Sequence, residues 1–165
     1  MPTAILAFLS VASYSEPDFS TVESTVKELY AVISGPAGQA RDWDRLRSVF
    51  APGARMVPVV VSGGSSRAIY WSVDDYIKNS GPYLEQTGFF EREVKATVQR
   101  YGPVAHVWSH YECWMGKPEG EPYDRGVNSI QLSHDGQRWW VQALSWSSEK
   151  SGAGPIPETK KVAKA

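Results

Sequence analysis

Residues 89–101 read FFEREVKATVQRY, and 104–114, 123–133 and 138–147 follow as VAHVWSHYECW, YDRGVNSIQLS and RWWVQALSWS. Each run is rich in β-branched and aromatic residues, which favour strands. Turn signals separate them: Tyr101-Gly102-Pro103, a Gly/Pro loop over 116–122, and His134-Asp135-Gly136-Gln137, whose Asp-Gly pair is a hairpin signal. The last half of the chain therefore reads as a meander of long antiparallel strands. In the first run, Phe90, Val94, Ala96 and Val98 are expected on one face, and Glu91, Glu93, Lys95 and Thr97 on the other.

Upstream the apolar period changes from two to that of a helix. Val22, Val26, Leu29, Tyr30 and Ile33 make one stripe of a helix expected over Phe19–Ser34, with Ser20 and Glu23 at capping-box spacing. A second, short helix is expected over Asp42–Phe50, with Trp43, Leu46, Val49 and Phe50 inward. A strand over 55–61, a Gly/Ser turn over 62–66 and a short return strand over 68–71 come next. Ser72, with Asp75 three residues on, caps a third helix expected over 73–79 and closed by Ser80-Gly81-Pro82. Helices first and strands afterwards give an α+β class, a curved antiparallel sheet wrapped on three N-terminal helices.

The chain has 165 residues, enough for one core, placed at 18–149. Its net charge of −1 gives no footprint for nucleic acid. Residues 150–165, with Lys160, Lys161 and Lys164, read as a loose basic tail. Ala4–Ala12 is an apolar run like the end of a signal peptide, but no positive side chain precedes it and it is too short to span a bilayer. The expected location is the cytoplasm, or outside it if residues 1–12 are a signal remnant. With Cys113 alone, neither an intrachain disulfide nor a cysteine metal site can form.

Several phrases carry a resemblance: Trp43-Asp44-Arg45-Leu46, Phe50-Ala51-Pro52-Gly53-Ala54 and Phe90-Glu91-Arg92-Glu93, then 107–112 (VWSHYE), 125–132 (RGVNSIQL) and 135–140 (DGQRWW). With the element order, they resemble bacterial members of the nuclear transport factor 2-like superfamily, in its SnoaL-like and ketosteroid isomerase-like branch. The resemblance implies a cone-shaped fold with a pocket between the concave sheet face and the helices. It also implies a range of uses: isomerase, dehydratase, polyketide cyclase, or a pocket without chemistry. It carries no catalytic signature.

The strands at 104–115 and 138–147 bear bulky apolar groups on both faces, and three helices can cover only one. A second copy of the chain is the expected cover, so a homodimer through the sheet face is anticipated. His106 and His110 share a strand face, yet about 3.3 Å per residue puts them too far apart to hold one ion, and no metal is expected. The expected pocket is aromatic and apolar, suited to a small hydrophobic cyclic molecule, and needs no cofactor. In it His110 or Glu112 would move a proton, while Tyr30 or Asn128 polarises a carbonyl. Arg92, Arg125, Trp108 and Trp146 complete the candidate wall. Arg92 or Arg125 paired with Glu112 forms either an anion clamp or a structural ion pair. A non-catalytic dimeric binding module is the alternative. Gly63-Gly64-Ser65-Ser66 lacks the Lys-Ser/Thr ending of a phosphate loop.

Overall fold

A computed structural model describes residues 16–156. The apolar run at 4–12 and the lysines at 160–164 lie outside them. Helix α1 (Val22–Ile33) starts at Thr21, whose hydroxyl accepts from the Ser24 amide while Ser24 Oγ accepts from the Thr21 amide. The capping box is thus one residue later than Ser20 and Glu23 would place it. All five residues of the apolar stripe are buried. Helix α2 (Trp43–Val49) is capped by Asp42 and buries Leu46 and Val49 completely.

Strand β1 (Phe50–Ser62) runs straight out of α2, and β2 (Ser65–Ala68) hairpins back onto it. Helix α3 spans Val73–Thr87, eight residues beyond the expected end. Its cap is the expected one, Ser72 with Asp75. Pro82 does not stop it, because Gly81 packs on the Trp43 ring and Leu84, a turn further, is buried. Gly88, at φ 73°, ends the helix where a left-handed residue is required.

The meander follows as β3 (Phe89–Tyr101), β4 (Val104–Met115), β5 (Asp124–His134) and β6 (Trp139–Ser148). These form one curved, unclosed six-stranded sheet in the order β2-β1-β6-β5-β4-β3. It is not wholly antiparallel: β1 joins β6 in parallel, with an irregular register between Phe50 and Arg55. A wide helical turn, Glu149–Ala153, then packs back on β1, so residues 149–156 are not the loose tail their Gly and Lys content suggests. Gly152, at φ 91°, sits so close to the Val61 carbonyl that a side chain there would collide with it.

The helices sit against one sheet face. Ala105, Val107, Ser109, Tyr111 and Cys113 of β4 are buried on it, as are Ile130 and Leu132 of β5 and Val141 and Leu144 of β6. Arg41 ties the helix ends together: its guanidinium donates to the carbonyls of Ile33, Gly35, Gln39 and Leu84, and its amide to Glu85. No helix among the described residues is long and apolar enough to cross a membrane.

Candidate functional site

Between α1, α3 and the concave sheet face lies a cavity of about 400 Å³, within the usual range for small-molecule sites. Leu29 and Ile33 of α1, Leu84 of α3 and Leu144 of β6 make its apolar wall. Trp71, Tyr76 and Trp146 form an aromatic corner with ring centroids 6.2–6.5 Å apart. Into this space the sheet projects Glu91, Tyr111, Asp124 and Asn128.

Glu91 is the chemically distinctive group. It lies on β3 opposite Cys113, facing the helices, and lines the cavity. Burial pushes its carboxyl from 4.5 up to about 8; the Asn128 amide hydrogen bond opposes that rise and the nearby Asp124 charge adds to it. Asn128 Nδ2 donates to Glu91 Oε1 at 3.2 Å and to Tyr30 Oη at 3.0 Å. Tyr30 Oη lies 2.6 Å from Ser109 Oγ, which donates to Glu93 Oε2 at the sheet edge. Burial, and then the charge of Glu91, raises the Tyr30 hydroxyl well above its ordinary value.

Two further hydroxyls point to the same place. Tyr76 and Tyr111 line the cavity, and neither hydroxyl has a hydrogen-bond partner among the described residues. Burial raises both, with the Glu91 charge second, so both stay protonated donors at any ordinary pH. Burial also pushes the Cys113 thiol up to about 12, which makes it a poor nucleophile.

The candidate residues read from sequence divide between the two faces. Tyr30, Asn128 and Trp146 come to the helix side, where Asn128 and Trp146 line the cavity and Tyr30 stands behind Asn128. His110 and Glu112 do not join them. They alternate with Ser109, Tyr111 and Cys113, so strand pleating turns them to the outer face. Trp108, Arg92 and Arg125 are also on that side. There Arg92 and Arg125 both reach Glu112, at 3.2 and 3.3 Å, and Arg92 stacks on Trp114. The set His110, Glu112 and Tyr30 therefore cannot act on one molecule in the cavity. His106, also outward, meets Ser129. No cluster of three or more metal-ligating side chains occurs among the described residues.

Glu91, Tyr76 and Tyr111 are the residues that sequence reasoning passed over. The cause is local. A bulge interrupts the β3–β4 register between Glu93 and Lys95 and reverses the alternation. Glu91 and Glu93, before the bulge, share the concave face with Ala96 and Val98, after it; Phe90 is turned outward.

Against known proteins, no family model matches the chain, and no curated protein matches it either. Solved structures do. An NTF2-like protein of unknown function from Pseudomonas putida superposes with a TM-score of 0.58 at 12% identity, covering 76% of this chain and 82% of that one. Hexachlorocyclohexane dehydrochlorinase LinA-type3 from Novosphingobium barchaimii gives 0.56 at 11% identity, over 83% and 92% of the two chains. A candidate dehydratase of the NTF2-like family from Streptomyces avermitilis gives 0.55 at 13%, over 76% and 91%. At such identities the likeness establishes the fold: this chain has the nuclear transport factor 2-like fold, as its sequence phrases suggest.

Proposed function

We propose that this protein performs cofactor-independent proton transfer on a small hydrophobic cyclic molecule held in the cavity, with Glu91 moving the proton. The observation that carries this reading is the Glu91 carboxyl on the wall of the cavity together with the Tyr76 and Tyr111 hydroxyls, neither of which has a hydrogen-bond partner among the described residues; burial there pushes the carboxyl up to about 8. A general base is most effective when its pKa lies near the working pH, because it is then both available and strongly basic. Ionised Glu91 would take a proton from a carbon next to a carbonyl. Tyr76 or Tyr111 would donate to the carbonyl oxygen as negative charge develops there. Glu91, now protonated, returns the proton to a second carbon of the substrate, giving an isomer. Where the substrate carries a leaving group beside the deprotonated carbon, loss of that group with the bonding pair gives an alkene, and Glu91 releases its proton to solvent. The neighbours named as a dehydratase and a dehydrochlorinase fit the second outcome.

The test is exchange of α-protons of cyclic ketones for deuterium, followed by NMR, with chloride release from hexachlorocyclohexane measured in parallel. Exchange should rise with pH and level off above about 8. Glu91→Gln should lower the catalysed rate by about 10²–10⁴-fold while leaving ligand binding intact. An unchanged rate in that variant removes Glu91 from the chemistry. The second reading, a binding module without turnover, draws on Asn128, whose two amide hydrogens are already committed to Glu91 and Tyr30. Ligand capture by native mass spectrometry without any exchange would favour it.

A further inference from the structure

We infer that Glu93, outside the cavity, is a positioning residue: through Ser109 and Tyr30 it fixes which way the Asn128 amide faces, and so which protonation state of Glu91 the site favours. The inference rests on the reading of Glu91 as the proton-moving group.

The hydrogen-bond chain has a direction that can be worked out from its outer end. A carboxylate can only accept, so Ser109 must donate its single proton to Glu93. Ser109 Oγ is then left as an acceptor, and the 2.6 Å contact requires Tyr30 to donate to it. Tyr30 Oη, its proton spent, must accept from its other neighbour, which therefore has to be the amide nitrogen of Asn128. That nitrogen has a second hydrogen, and it is aimed at Glu91. Each step is fixed by the one before. Nothing along the route offers an alternative: Ser109 is fully buried, and Tyr30 and Asn128 are 5% and 4% exposed.

Reversing the outer end should reverse the whole chain. If position 93 no longer accepts, the Ser109 proton turns to Tyr30, and Tyr30 donates to position 128. The Asn128 side chain turns over and presents its carbonyl oxygen. That oxygen can accept a hydrogen bond from protonated Glu91 and repels the ionised form.

Other charged and titratable groups face these residues. Asp124 of β5, Tyr111 and Cys113 of β4, Tyr30 of α1 and Tyr76 of α3 surround Glu91. Around Glu93 the outer cleft holds Glu23 and Lys27 of α1 and Arg92 of β3. None of them links the two glutamates by hydrogen bonds as the Ser109–Tyr30–Asn128 path does.

The directional chain and simple charge repulsion predict opposite signs, which makes the inference testable without a substrate. Removing a negative charge at position 93 by repulsion alone would make Glu91 easier to ionise and lower its titration midpoint. Reversal of the chain raises it. The measurement is the ¹³C chemical shift of the Glu91 side-chain carboxyl from pH 5 to 10, assigned by its disappearance in Glu91→Gln. Glu93→Leu, which leaves Ser109 no acceptor at the outer end where glutamine would keep one, should move the midpoint upward by about one unit, the worth of one hydrogen bond to a charged group. Ser109→Ala, which leaves the Glu93 charge in place but cuts the path, should also move it upward. Glu23→Gln, removing an equal charge from the same cleft, should leave it unchanged or slightly lower. A downward or absent shift in Glu93→Leu overturns the inference, as does an unmoved midpoint in a folded Ser109→Ala protein. If Ser109→Ala does not fold, the exposed Glu93→Leu decides alone. Absence of turnover in the exchange assay would count against the proposed reaction and leave these titrations readable.

Discussion

Glu91 occupies a position that favours its uncharged form, and that has a consequence for folding. Below pH 4.5 both the folded and the unfolded chain hold its proton; between 4.5 and about 8 the unfolded chain has released it and the folded chain keeps it. In that window the unfolded state binds fewer protons, so this carboxyl subtracts progressively from stability as pH rises, and its full effect is reached above about 8. Glu91→Gln keeps the acceptor for Asn128 and removes the charge. The variant should match the wild type in unfolding free energy, read from urea titration, near pH 4 and exceed it increasingly toward pH 8, by an amount on the order of a few kcal/mol. A wild type as stable as the variant at pH 9 would mean that Glu91 ionises without resistance. Gain in stability on loss of activity is the usual mark of a functional charge held in an unfavourable place. At this scale the sequence was half legible. Tyr30 is legible on the inward stripe of α1 because helical spacing is robust. The face of β5 that carries Asn128 is not, because alternation alone does not say which side the helices cover. Alternation sets Glu91 on the face opposite Ala96 and Val98; one bulged residue shifts the parity of the strand and brings them together, and nothing in FFEREVKATVQRY announces a bulge.

Elements end and bend where tertiary packing, rather than local propensity, decides. Pro82 reads as a helix stop, yet α3 continues to Thr87. Proline removes one backbone donor and crowds the carbonyl a turn earlier, and burial of Leu84 with the docking of Gly81 on Trp43 offsets that cost. The parallel seating of β1 beside β6 was equally hidden, since strand order depends on how the sheet closes over the helices. By contrast the Ser72 cap and the Asp135-Gly136 hairpin were legible because both are local chemistry. Gly126 makes a related prediction. It is the third residue of β5, at an ordinary strand conformation, and the hydroxyl end of the Tyr111 ring lies directly over it, so that an added methyl would collide with the ring and with the Ser147 carbonyl. Alanine in a strand interior usually stabilises relative to glycine by about 0.5–1 kcal/mol. Here Gly126→Ala should instead destabilise by about 1–3 kcal/mol, the usual cost of overpacking, and should weaken ligand capture by displacing a cavity wall. Urea unfolding checks the sign: a more stable variant would show that Tyr111 does not rest on this glycine.

At the scale of the whole molecule, three helices cover one side of a six-stranded sheet and leave the other to be explained. Trp108 is 43% exposed there, and Val104, on the same strand face, is about half exposed. Beside Trp108 a groove of about 450 Å³ runs between Val59, Val127, Pro155 and Ile156. The C-terminal turn that forms one bank of this groove is itself held down by the Ser148–Ser151 hydrogen bonds, so the groove is a built surface. Apolar surface of this kind on an isolated chain is uncommon, and a second copy presenting the same face would cover it symmetrically. The outward ion pairs of Glu112 with Arg92 and Arg125 lie on this same side, where they would set the register of two sheets. The prediction is that the protein sediments as a dimer at micromolar concentration, and that Trp108→Glu shifts it to monomer. Loss of a central tryptophan at an interface costs about 2 kcal/mol or more, and placing a charge there adds to that loss. Because Trp108 faces away from the cavity, the variant should keep its circular dichroism spectrum and its α-proton exchange. A wild-type chain that sediments as a monomer across the accessible concentration range would leave the outer face without a partner of its own kind. A dimer that survives Trp108→Glu would place the interface elsewhere on the sheet.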